Sequence, residues 1–154
     1  MTEFRIALES PRQEAVLRLI EALDAYLRSL YPPESNHFLD LDALAAADVR
    51  FFVARVAGRV VGCCALRVSG DEGELKRLYV DPAGRGQGLG RRLVSAVEQQ
   101  ARQEGVRVVR LEAGIHQPEA LALYRAEGHV ERAHFPPYGP DPLSVFMEKK
   151  LHRD

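Results

Sequence analysis

One stretch of this 154-residue sequence combines residue types and spacing that suit chemistry. It reads Val80-Asp81-Pro82-Ala83-Gly84-Arg85-Gly86-Gln87-Gly88-Leu89-Gly90 and joins a strand-like segment to a helix-like one. Glycine has no Cβ, so its main-chain amide can approach a ligand closely. A helix that opens after such a loop presents unpaired N–H groups and the positive end of its dipole. Together these suit a phosphate or pyrophosphate. The P-loop pattern G-x-x-x-x-G-K-[ST] is excluded, because no Lys-Ser or Lys-Thr pair occurs here. The dinucleotide pattern G-x-G-x-x-G also fails: it would need glycine at Arg91 or at Leu89. An R-x-x-G-x-G pattern remains, Arg85-Gly86-Gln87-Gly88-Leu89-Gly90.

The elements that must position this loop follow from periodicity. Phe4, Ile6 and Leu8 alternate as in a half-buried strand. Ser10 reads as an N-cap with Pro11 at the first helical position. Val16, Leu19, Ile20, Leu23, Leu27 and Leu30 then recur at helical spacing up to Tyr31-Pro32-Pro33, where proline ends the helix. Residues 40–48 read as a short helix, 51–56 and 60–68 as a hairpin turning at Ala57-Gly58-Arg59, and 74–80 as a further strand. Leu89, Leu93, Val97 and Ala101 mark a helix over 88–105, with Gly105 past its end. A strand at 106–113, a helix at 118–127 and strands at 130–133 and 144–151 complete the chain. The order predicts one α/β layered domain, spanning 1–154, with a mixed sheet. The segment from 74 to 113 predicts a right-handed parallel crossover. Leu78 and Val80 share a parity that Leu75 lacks, which predicts a β-bulge near Lys76-Arg77.

Composition excludes several classes. Hydrophobic residues make up 46% and charged residues 28%, the balance of a globular domain. The net charge of -1 gives no sign of a nucleic-acid partner. No run approaches the length of a membrane span, and the first residues lack the apolar core of a signal peptide. Cys63 and Cys64 are adjacent, so on a strand they point to opposite faces and do not pair with each other. No cysteine–histidine cluster suggests a metal, and this cysteine usage fits the cytoplasm.

The loop, set between a strand ending in Leu78-Tyr79-Val80-Asp81-Pro82 and a long amphipathic helix, resembles the pyrophosphate loop of the GCN5-related N-acetyltransferase superfamily. A second segment extends the resemblance. Gln117-Pro118-Glu119-Ala120-Leu121-Ala122-Leu123-Tyr124-Arg125-Ala126-Glu127-Gly128-His129 is similar to the family's N-x-x-A-x-x-L-Y-x-x-x-G-F, with glutamine for asparagine and histidine for phenylalanine. The element order matches over nearly the whole chain. The resemblance implies the acyl-CoA N-acyltransferase fold: a mixed, mostly antiparallel sheet of about seven strands, splayed at a β-bulge, with helices on both faces. It also implies acetyl-CoA as acyl donor, held by Leu78, Tyr79, Val80, Arg85, Gly86, Gln87, Gly88, Leu89, Gly90, Arg91, Gln117, Ala120, Tyr124 and Arg125. Main-chain amides near Leu78 and Val80 would polarise the thioester carbonyl, and Tyr124 would protonate the departing sulfur. Glu74, at the start of the same strand, is the implied general base.

Other assignments come from the residues themselves. Arg91 and Arg125 are candidates for the 3′-phosphate of CoA, or else solvated helix charges. His37, His116 and His134 are alternative bases. Tyr31, Glu34, Ser35 and His37 after the first helix, with Phe135 and Tyr138 in the proline-rich loop 135–142, suit a small polar amine acceptor. A non-catalytic acyl-CoA sensor, a protein N-terminal or lysine acetyltransferase, and an ATP- or NAD-binding protein are the rival readings. Dimers are common among proteins of this kind, although no segment demonstrates one.

Overall fold

A computed structural model describes residues 3–35 and 40–151. Strand β1 (Phe4–Leu8) leads into helix α1 (Glu14–Leu30), which buries Val16, Leu19, Ile20 and Leu23 at helical spacing. Its expected start at Ser10 and Pro11 is corrected: Gln13 is the N-cap, and the Ser10 hydroxyl accepts from the Arg12 amide one turn earlier. Ser10 therefore shapes the turn before the helix rather than its first turn. The helix stops as expected, with Tyr31 extended ahead of the two prolines and a single 3₁₀ turn at Pro33–Ser35.

The short helix expected over 40–48 is one turn only, α2 (Leu41–Leu44), capped by the Asp40 carboxylate on the Ala43 amide. Strands β2 (Val49–Val56) and β3 (Arg59–Ser69) form the expected hairpin, with positive φ at both Ala57 and Gly58. Then come β4 (Glu72–Val80), α3 (Leu89–Gln103), β5 (Val108–Gly114), α4 (Pro118–Ala126), β6 (Val130–Arg132) and β7 (Ser144–Lys150). Strand β5 begins two residues later than its apolar pattern suggests. Val106 still donates to Ala101 at the helix end, and Arg107 donates to Asp71.

The seven strands lie in the order β1-β2-β3-β4-β5-β7-β6. Every neighbouring pair is antiparallel except β4 and β5, which are joined through α3 as a parallel crossover. Helices cover both faces. On one, Val16, Leu19, Ile20 and Leu44 pack against Phe51, Val53, Cys63 and Ala65. On the other, Leu89, Leu93, Val94, Val97 and Leu121 pack against Phe52, Ala54, Cys64 and Leu66. The adjacent cysteines thus enter opposite cores, as strand geometry requires. Among the described residues no helix is long and apolar enough to cross a membrane.

Candidate active site

The bulge lies where the parity break in β4 places it. Cys63 pairs with Tyr79 and Ala65 with Lys76, so β4 carries one residue more than β3 over this span. Arg77 takes the strain, with φ of +60°. Its guanidinium forms a buried ion pair with Asp24 of α1. The bulged carbonyls are bonded from β3: the Cys63 thiol donates to Arg77 O at 3.3 Å and the Cys64 thiol to Lys76 O at 3.8 Å. Burial pushes the Cys63 thiol up to about 12, so it stays protonated and able to donate.

Past Glu74, which pairs with Arg110, strands β4 and β5 no longer bond to each other. The amides of residues 75–80 that face away from β3 therefore lack a strand partner and line a split in the sheet. A cleft of about 100 Å³ occupies this split. Leu75, Lys76, Arg77 and Leu78 form one wall; Glu112, Ala113 and Gly114 form the other.

At the end of β4 the loop is shaped by Asp81, whose carboxylate accepts from the Ala83 amide, and by a 3₁₀ turn at Pro82–Gly84. The Arg85 guanidinium folds back onto Val80 O at 3.0 Å and lies over the Tyr79 ring, so this side chain straps the loop to its strand. Gly86 and Gly88 have φ of +80° and +76°, which side chains rarely adopt. Among the described residues no protein oxygen accepts from the amides of residues 86–91. These amides open a fifteen-residue helix. Unbonded donors, a dipole end and the absence of side chains together fit a pyrophosphate. Gly90 also serves packing. A Cβ there would lie 3.1 Å from Leu123 Cδ2, so it lets α3 approach α4.

Tyr124, on α4, borders the cleft and is 6% exposed. Burial, with Cys64 and Glu112 nearby, pushes its phenol well above the usual tyrosine range, so the hydroxyl keeps its proton. No described protein group hydrogen-bonds that hydroxyl.

Polar groups cluster at the opposite end. Glu74 Oε2 accepts from the Tyr138 hydroxyl at 2.5 Å and from Lys76 Nζ at 3.2 Å, and Lys76 also donates to the Tyr138 oxygen at 2.5 Å. Burial and the Glu74 carboxylate both raise the Tyr138 phenol. Across the split, the Glu112 carboxylate accepts from Ser144 Oγ at 2.8 Å. The Tyr31 hydroxyl accepts from the His116 amide at 3.0 Å, and the Gln117 side-chain oxygen accepts from the Gly114 amide at 3.1 Å.

The arrangement can therefore seat a diphosphate at one end of a split sheet and a small polar group at the other, with a protonated phenol bordering the cleft. The sequence pattern of the Acetyltransferase (GNAT) family matches residues 16–128. This chain belongs to that family. It is 53% identical over 153 residues to the IAA acetyltransferase of Azospirillum brasilense, covering 98% of this chain and 100% of the relative. A protein from Klebsiella pneumoniae subsp. pneumoniae, proposed to be an acyl-CoA N-acyltransferase, has a crystal structure that matches with a TM-score of 0.83 at 41% identity, covering 97% of this chain and 98% of that one. The PaiA N-acetyltransferase of Thermoplasma acidophilum, solved in complex with coenzyme A, shares the fold with a TM-score of 0.75 at 18% identity, covering 97% and 99%.

Within this acyl-CoA-dependent acetyltransferase the expected residues fall into groups. Tyr124, Glu74, Leu78, Gln117, Ala120, Tyr31 and Ser35 meet at the cleft. Tyr138 reaches it through Glu74 and Lys76. Glu34 is exposed and does not line the cleft. Nor do His116, stacked on Tyr31, or His134, edge-on to Phe146. His37 lies outside the described residues. Arg125 bonds Glu131 at 2.8 Å and Arg91 lies 3.6 Å from Glu127, so each cation already has a carboxylate partner. Sequence reasoning missed Glu112, Lys76 and the Asp24–Arg77 pair. Glu112 alone had a signal, as an acidic residue within the apolar run of β5.

Proposed function

We propose that this acetyltransferase moves an acetyl group from acetyl-CoA to a primary amine of a small molecule, by direct transfer in a ternary complex. We further propose that residues 1–154 form one catalytic domain. The observation that carries the reading is the pairing of unbonded amides at residues 86–91 with a split in the sheet that Tyr124 borders. The name of the Azospirillum relative, IAA acetyltransferase, favours a small acceptor over a protein one.

Acetyl-CoA supplies an activated thioester carbonyl when bound. Amides at residues 86–91 bind the pyrophosphate, and those of β4 near Leu78, Tyr79 and Val80 orient and polarise the carbonyl. Gln117 Oε1 is engaged by Gly114, which leaves its amide nitrogen to meet the cofactor arm. Tyr124 donates its proton toward the departing sulfur. A carboxylate takes the proton of the amine, directly or through water. Glu74 holds that role in this reading; Glu112, on the facing wall of the same cleft, is the second candidate.

The test follows release of free thiol from acetyl-CoA over a panel of small amines, amino acids and peptides. Turnover with a small amine, reduced about 100-fold or more in Tyr124→Phe with coenzyme binding retained, is the expected result. Tight coenzyme binding with no turnover on any amine would favour the sensor reading instead.

A further inference from the structure

Tyr124 sits in the last turn of α4, where helix carbonyls lack intrahelical partners. The turn ends as a Schellman motif. Gly128, at φ +97°, donates to Arg125 O at 3.1 Å, and the His129 amide donates to Tyr124 O at 2.9 Å. His129 adds a second bond to the same atom. Its Nδ1 lies 3.1 Å from Tyr124 O, and since a carbonyl only accepts, Nδ1 carries the proton. The two rings meet edge to face, with centroids 5.7 Å apart. His129 is 2% exposed, and its other nitrogen, Nε2, is buried with no hydrogen-bond partner.

The surroundings of that ring are charged. Glu98 of α3, 4% exposed, accepts from Lys149 of β7 at 2.5 Å through Oε1, while its Oε2 is buried and unbonded. Arg102 lies 3.9 Å from Glu98. An orphaned buried polar atom is destabilising, because it has lost its water without gaining a partner. A phenylalanine at position 129 would fill the same place without an orphaned nitrogen, so a purely packing role does not account for the imidazole. What phenylalanine would lose is the Nδ1 bond to Tyr124.

We propose that His129 is a positioning residue: through the Tyr124 carbonyl and the Tyr124 ring it fixes the direction in which the phenol hydroxyl enters the cleft. The proposal rests on the reading of Tyr124 as the proton donor. A displacement of about 1 Å at a reacting group costs roughly 100-fold in rate, so a shift of this last helical turn would register in catalysis before it registered in coenzyme binding.

The experiment compares the full-length wild type with His129→Phe, His129→Asn, Tyr124→Phe and the Tyr124→Phe/His129→Phe double variant, in acetyl transfer to the best amine of the panel. Asparagine keeps a donor near the place of Nδ1 but lacks the ring. In His129→Phe, kcat should fall about tenfold or more while KM for acetyl-CoA stays within about twofold. His129→Asn should recover most of that loss. In the Tyr124→Phe background, His129→Phe should cause no further loss. Wild-type kcat in His129→Phe, or an equal loss in both backgrounds, would overturn the role of His129 while leaving Tyr124 in place. A fully active Tyr124→Phe would remove the proton-donor reading and this proposal with it. If His129→Phe does not fold, His129→Asn against His129→Ala carries the same comparison.

Discussion

The Tyr31 hydroxyl occupies the space that a side chain on Gly114 would need: a Cβ at Gly114 would lie 1.7 Å from the hydroxyl oxygen and 2.0 Å from Cζ. Tyr31 ends α1, and Gly114 ends β5 at the cleft. The absence of one carbon thus lets the first helix dock onto the turn that leads to α4. Gly114→Ala should expel the Tyr31 ring and cost about 1–3 kcal/mol of stability. It should also raise KM for the amine while leaving coenzyme affinity intact. Thermal unfolding and separate titrations of the two substrates check this; unchanged kinetics for both would show that Tyr31 does not shape the acceptor end.

The bulge should depend on the Asp24–Arg77 pair. Both side chains are largely buried, at 16% and 6% exposure, and removing one partner of a buried pair is costly. Asp24→Ala should lose about 3 kcal/mol in urea unfolding and also reduce kcat, because Arg77 holds a left-handed conformation within the strand that lines the cleft. A loss below about 1 kcal/mol would mean that β3 alone fixes the bulge.

Gly88 and Gly90, on either side of the start of α3, should fail differently. Gly88 has φ of +76° with open space around it, so Gly88→Val strains the backbone and puts a side chain into the proposed diphosphate site. Coenzyme affinity should fall at least about tenfold. Gly90 needs only room for the Leu123 side chain, which is flexible, so Gly90→Ala should bind coenzyme normally with a small loss of stability. Calorimetric titration with CoA separates the two; normal binding by Gly88→Val would remove the loop from the coenzyme site.

The cysteines give the pH prediction. The Cys63 thiol, ordinarily near 9.0, is raised to about 12 by burial, so the folded state favours the neutral thiol. Its folded value lies above its unfolded one. This contribution to stability is therefore complete below pH 9 and is lost as pH rises toward 12. The alkaline decline should flatten in Cys63→Ala, by up to about 1.4 kcal/mol per pH unit. Neither thiol should react with a disulfide reagent at pH 8 until the protein unfolds; fast labelling of the native protein would contradict their burial.

Local pattern determined much of this protein. The helical spacing of Val16, Leu19, Ile20 and Leu23, the glycines at 86, 88 and 90, and the parity break before Leu78 are all properties of neighbouring residues. Each constrains backbone conformation within a few positions, so the elements, the glycine-bearing loop and the bulge were legible in the chain itself. Ser10 misled for the same reason: its local cap signal competes with an equally local turn, and that turn takes it. The tertiary structure alone decided which groups share the cleft. Glu74 and Tyr138 are 64 residues apart and Tyr31 and Gln117 are 86 apart, and no periodicity encodes such pairings. They arise because packing α1 and α4 against a split sheet brings distant strands and turns to one opening, where burial then sets each group's charge and partners.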